Sequence, residues 1–146
     1  MPKARGVLQV AAGLGLLTVL TGCVHGGVTV APWPDDPIAA SRQSADAPVE
    51  FRMREPLPSC GNIELGQGEI VPDAAWECMN AAFGSGAELA VVQPTTEGDP
   101  IVTFYRVGPS IRGMDVITDS TLDTYGFGWL VQRCVDTFDA REPAGC

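Results

Sequence analysis

Residues 87–118 read AELAVVQPTTEGDPIVTFYRVGPSIRGMDVIT, and the alternation inside this stretch decides the fold class. Ala87, Leu89 and Val91 fall on one face of an extended segment at 87–93, because successive side chains of a strand point to opposite sides. Thr95-Thr96-Glu97-Gly98-Asp99 then makes a tight turn in which Gly98 supplies a positive φ without a Cβ clash. Residues 101–107, IVTFYRV, are β-branched and aromatic, the types that pack well on a pleated surface. GPSIRG closes a second hairpin into a strand at 113–118. DSTLDTYGFG is a loop, and the last strand falls at 128–135.

Upstream, IVPDAAWECMNAAFGSG predicts the one convincing helix, over 72–84. Pro72 suits an early helical position, and Asp73 and Glu77 favour its positive end. Ala75, Cys78, Met79, Ala82 and Phe83 share a face, and Gly84 and Gly86 supply the stop. Residues 62–65 read as a short strand before a Gly66-Gln67-Gly68 turn. Val49, Phe51 and Met53 alternate with Glu50, Arg52 and Arg54, which predicts a half-buried strand and places the start of the folded domain at Pro48. The expected class is α+β: one helix packed on a mainly antiparallel sheet of four to six strands, with two disulfides.

The N-terminus carries an address. Lys3 and Arg5 precede a mostly apolar run from Val7 to Leu20, the length of a signal-peptide core and short of the roughly 20 residues a spanning helix needs. The run ends in Leu20-Thr21-Gly22-Cys23, which resembles the bacterial lipobox. That resemblance implies a signal peptide over 1–22, acylation of Cys23, and attachment to the lipid bilayer through it; two or three acyl chains suffice for stable anchoring. Residues 23–47 are rich in Pro, Gly, Ser, Ala and Asp and read as a flexible tether, in which His25 is spacer. The extracytoplasmic domain is then 48–146.

Beyond Cys23, the four cysteines Cys60, Cys78, Cys134 and Cys146 make an even count in an exported domain, the pattern of two disulfides. Cys60–Cys78 would tie the first strand region to the helix and Cys134–Cys146 would pin the tail; the runner-up joins Cys78 to Cys134. About 100 residues make a small core, which such staples help. There is no CxxC spacing and no histidine after His25, so neither a metal site nor a redox dithiol is expected.

Composition excludes several chemistries. Asp and Glu number 18 against 9 Lys and Arg, a balance wrong for nucleic acid. An acidic body is also repelled by an anionic lipid surface, so it should stand off on its tether. Without a histidine in the domain, Ser-His-Asp and Cys-His arrangements cannot be built. Without a lysine after Lys3, Schiff-base chemistry and a Walker-type loop fall away too. Carboxylates remain: Glu64, Glu69, Glu97, Asp99, Asp115, Asp119 and Asp123, read mainly as a solvated acidic surface. The spacing of Asp115, Asp119 and Asp123 offers oxygen ligands for calcium but lacks the glycine and terminal glutamate of an EF-hand, so no metal or other cofactor is expected.

The segment from Ala87 to Val107, with Thr95-Thr96-Glu97-Gly98-Asp99-Pro100 at its turn, followed by Asp119, Asp123, Tyr125 and Gly126, resembles a family of small secreted lipoprotein domains of Gram-positive bacteria. The likeness covers roughly residues 60–135 and implies location and fold, not an activity. Basic usage that is all Arg after Lys3, with abundant Ala and Gly, suits a GC-rich actinobacterial source. The turn residues Thr96, Glu97, Gly98 and Asp99 are the candidate binding turn; a purely structural role for them competes, with Gly98 turning the chain and Asp99 capping it. The function expected is a non-enzymatic binding or interaction domain, lipid-anchored at the outer face of the cytoplasmic membrane, whose partner is an envelope protein or wall component. The alternatives are an inhibitor of an exported hydrolase and a carboxylate-dependent cell-wall hydrolase.

Overall fold

In a computed structural model of the chain, the described residues are 33–146. The signal peptide, Cys23 and the tether up to residue 32 lie outside them. The described elements run α1 (Pro37–Gln43), α2 (Val49–Arg52), β1 (Ser59–Glu64), α3 (Asp73–Ala81), β2 (Ala87–Pro94), β3 (Pro100–Gly108), β4 (Ile111–Asp119) and β5 (Trp129–Cys134). The strands form one sheet in the order β1-β2-β3-β4-β5. β2 through β5 are the expected antiparallel meander, while β1 runs parallel to β2. A parallel pair needs a crossover, and α3 supplies it. The α+β class with two disulfides therefore holds.

β2 is buried at all six positions from Ala87 to Val92, so both faces of the sheet are covered. Leu89, Val91, Val107 and Met114 pack with Ala75 and Met79 of α3. Ala90, Val92, Val102, Phe104 and Ile117 pack instead with Ile38, Ala47 and Phe51. Ile38 and Ala47 of this second cover come from the stretch assigned to the tether, so the folded body reaches back past Pro48 to α1. The reason lies in Asp36-Pro37. Asp36 caps α1, its carboxylate accepting a 2.8 Å hydrogen bond from the Ala39 amide, and Pro37 sits in the first turn, where its missing N–H costs nothing. Proline excludes a strand here without excluding a helix.

The strand expected at 49–54 is also corrected: the segment is the single turn α2. Its alternation is not an inward face, since Val49 and Met53 are exposed and only Phe51 is buried. Phe51 packs 4.7 Å from Phe104 and 5.4 Å from Trp129, ring centre to ring centre, and that one anchor fixes the turn. α3 ends at Ala81, three residues short of the expected 84, because the chain turns at Ala82 into Gly86, whose amide reaches back 2.7 Å to the Ala82 carbonyl.

Cys60–Cys78 joins β1 to α3, and Cys134–Cys146 pins the tail to the end of β5. The tail folds back on α3: Ala140 is fully buried, and its amide donates to Asn80 Oδ1 at 2.7 Å. Among the described residues, no helix is long and apolar enough to cross a membrane.

Candidate functional site

A polar row crosses the sheet on the α1/α2 side. Glu88 of β2 pairs in register with Arg106 of β3, Arg106 with Asp115 of β4, and Asp115 with Arg133 of β5. Four strands thus present charges of alternating sign side by side, the favourable cross-strand arrangement. Two arginines close over the row from the covering segments. Arg42 of α1 donates to Glu88 at 2.7 Å, and Arg54, just after α2, pairs with Asp115.

The centre of the row is Arg106, whose side chain is 5% exposed. Its Nε lies 2.8 Å from Glu88 Oε2, an ion pair set off the hydrogen-bonding direction, and its buried Nη1 has no partner among the described residues. Burial lowers the Arg106 pKa from its ordinary value, and the charge of Glu88 opposes that shift. The guanidinium stays charged at any physiological pH. It also lies over the Phe51 ring, 5.2 Å from the centre, while Arg42 lies 5.5 Å over Phe104.

Phe51 and Arg54 separate two shallow clefts. One, of about 370 Å³, is walled by Arg42, Arg52, Arg54, Arg106 and Glu88, with Phe51, Pro56 and Leu57 as its apolar side. The other, of about 320 Å³, lies towards Asp115, Val131 and Arg133. Volumes of this order are at the small end for ligand sites.

No family model, curated protein or solved structure matches this chain.

The structure does not bring the candidate turn to this cleft. Pro94 at the end of β2 is six residues from Glu88, about 20 Å along a strand. At the turn, Gly98 has φ +95°, and its amide donates to the Thr95 carbonyl at 3.0 Å. Asp99 is buried and accepts a 2.8 Å hydrogen bond from the Thr124 amide, which ties the β2–β3 hairpin to the β4–β5 loop and lowers the Asp99 pKa. Thr96 and Glu97 remain exposed; the Thr96 hydroxyl donates to Glu97, the main cause of a lowered Glu97 pKa.

The three aspartates weighed for calcium are not gathered. Asp115 belongs to the polar row. Asp119 is buried and accepts from the Ser41 hydroxyl at 2.6 Å and from the Thr121 amide and hydroxyl at 2.9 and 2.7 Å. Asp123 accepts from the Tyr125 amide. Among the described residues, no three His, Cys, Asp or Glu side chains could hold a metal ion together. Glu64 and Glu69 stand apart on the surface, with Glu69 accepting from the Gly66 amide. Arg106, Arg42, Arg54 and Glu88 were not singled out by the sequence. The available signal was a charge inside each apolar run: Glu88 in AELAVV, Arg106 in FYRV and Asp115 in GMDVI.

Proposed function

We propose that this chain is a lipid-anchored domain at the outer face of the cytoplasmic membrane that binds an envelope protein or wall component without turning it over. The observation that carries the binding reading is the arginine-lined cleft. Its lining is four arginines and Glu88, with Arg54 paired to Asp115 beside it and an apolar wall, which is a recognition surface in composition. Hydrolysis by paired carboxylates is less well supported. Glu88 and Asp115 are each engaged by guanidiniums, and Arg106 stands between them in the register. Anchoring is supported by the Leu20–Cys23 lipobox, and the two disulfides suit an oxidising compartment. The likeness of the Thr95–Pro100 turn to small lipoprotein domains supports the same location.

A second reading, an inhibitor of an exported hydrolase, is favoured by one feature. The β2–β3 tip presents Thr96 and Glu97 on a hairpin held by Gly98 and by the Asp99–Thr124 bond.

The intact mass of the membrane-extracted protein tests the anchor. Residues 23–146 plus acyl chains, with four thiols appearing only on reduction, is the expected result; an unlipidated mass overturns it. Adding envelope fractions to the labelled full chain tests recognition. Perturbed arginine side-chain resonances at Arg42 and Arg106 support the cleft, whereas changes confined to 95–99 support the inhibitor reading.

A further inference from the structure

We propose that the cleft between Arg42 and Arg106 takes an oxyanion, a carboxylate or phosphate monoester, carried on a short apolar stem. The inference rests on reading that cleft as a recognition surface. Its local charge reverses that of the chain: carboxylates outnumber cations two to one overall, yet here four arginines face two carboxylates, Glu88 and the Asp115 that pairs with Arg54. Glu88 must serve Arg42 and Arg106 together, and Arg52 is in no ion pair among the described residues. The buried Arg106 Nη1 has no acceptor among the described residues, and a buried donor left unmade costs free energy that an incoming oxygen returns.

Every cation at the cleft is Arg, whose planar fork meets two oxygens of a carboxylate or phosphate at once; a lysine ammonium cannot. Arg42, with a side chain 37% exposed, and the exposed Arg52 form a rim free to turn onto an arriving anion. Phe51, Pro56 and Leu57 form a wall that contributes nothing to a bare ion and favours a ligand with an apolar part. The acidic exterior does not veto this, since at physiological salt its field decays over about 8 Å.

The test is a titration of the full chain in neutral detergent, followed through the arginine Nε–Hε resonances. The probes are inorganic phosphate, acetate, phenyl phosphate and benzoate, with benzyl alcohol as the uncharged control. Saturable shifts at Arg106 and Arg42 are expected with both aryl anions, at an affinity about tenfold above that for the bare anions. Tighter phenyl phosphate assigns a phosphate monoester, and tighter benzoate a carboxylate. Arg52→Gln lies outside the ion pairs, should leave the urea midpoint unchanged, and should weaken binding by roughly fivefold, the size of one exposed charge contact. Arg106→Met should abolish it.

No saturable shift with any anion overturns the proposal, as does an equal response to benzyl alcohol or unchanged binding in both variants. If envelope fractions perturb Arg42 and Arg106 while every anion fails, the ligand class is wrong and the recognition reading stands. If neither perturbs them, both fall.

Discussion

Glu88→Gln removes one charge with almost no change of shape, and its cost can be worked from the row it sits in. The Glu88 side chain is 9% exposed and is the counter-ion of both Arg42 and Arg106. Deleting one partner of a buried pair leaves the other charge uncompensated, at about 3–5 kcal/mol. The Gln carbonyl still accepts a hydrogen bond, which returns about 1 kcal/mol. Arg42 is exposed enough to turn into water, so its share is at most about 1 kcal/mol. Asp115 remains beside Arg106 but is already engaged by Arg54. The net loss is about 3 kcal/mol, a large part of the roughly 5–15 kcal/mol that holds a domain of this size. With a urea slope near 1.5 kcal/mol/M, the unfolding midpoint falls by about 2 M. The double variant Glu88→Gln, Arg106→Met removes the orphaned charge and should recover most of the loss, because apolar groups of similar volume replace buried ion pairs with little penalty. A single-variant shift below about 0.5 M would mean that Arg106 finds water in the native state, and no recovery in the double variant would mean that Arg106 is held by something other than Glu88. Either result refutes the account of the row.

Three further outcomes follow from the fold. Cys146→Ser opens a loop with a sequence separation of 12 and should cost about 3 kcal/mol in the chain-entropy treatment, read as a lower urea midpoint that reductant does not lower further at that bridge. Ser41→Ala leaves a buried oxygen of Asp119 without its donor and should cost about 1–3 kcal/mol, with hydrogen exchange accelerating first in α1; uniform acceleration would argue against α1 as a separately docked element. Asp99 is held below its ordinary 3.8 by the Thr124 amide. The unfolded chain therefore takes up the proton first as pH falls, so this contribution is present above about 3.8 and is lost as pH drops through the lowered native value. Asp99→Asn should flatten the acid limb of urea midpoints measured from pH 2 to 6, and an unchanged acid limb would sink the assignment.

The parts legible in the sequence are those governed by local rules. The one-face spacing of Ala87, Leu89 and Val91 located β2, the β-branched and aromatic run 101–107 located β3, the hairpin GPSIRG led into β4, and Gly98 marked the first hairpin tip. The even cysteine count pointed to two disulfides, and of the pairings left open the favoured Cys60–Cys78 and Cys134–Cys146 formed. The misses have physical reasons. α1 and α2 are too short to show a helical period, and α2 mimics a strand because Val49, Phe51 and Met53 alternate even though only Phe51 enters the core. Pro37 falls in the Pro-rich stretch read as tether, and only its pairing with the Asp36 cap turns it into a helix start. The polar row was illegible for a different reason. Glu88, Arg106, Asp115 and Arg133 lie far apart in sequence, and only the strand register makes them neighbours.

The two faces of the sheet divide the work of the domain. The α3 face is apolar and fastened by Cys60–Cys78, and the folded-back tail closes its edge. The α1/α2 face buries Glu88, Arg106 and Asp115 at positions where apolar side chains would serve stability as well or better. Local rules are broken there and nowhere else in the sheet core, and departures of this kind collect at sites kept for something other than stability. A small domain can carry that cost because the opposite face is stapled. The same separation predicts that loss of the Cys60–Cys78 bridge weakens the fold without altering anion affinity in the surviving native fraction, whereas Arg52→Gln alters affinity without touching the fold. Measuring both variants by urea midpoint and by phenyl phosphate titration puts the division to the test, and a bridge variant whose native fraction binds less tightly would show that the two faces act as one.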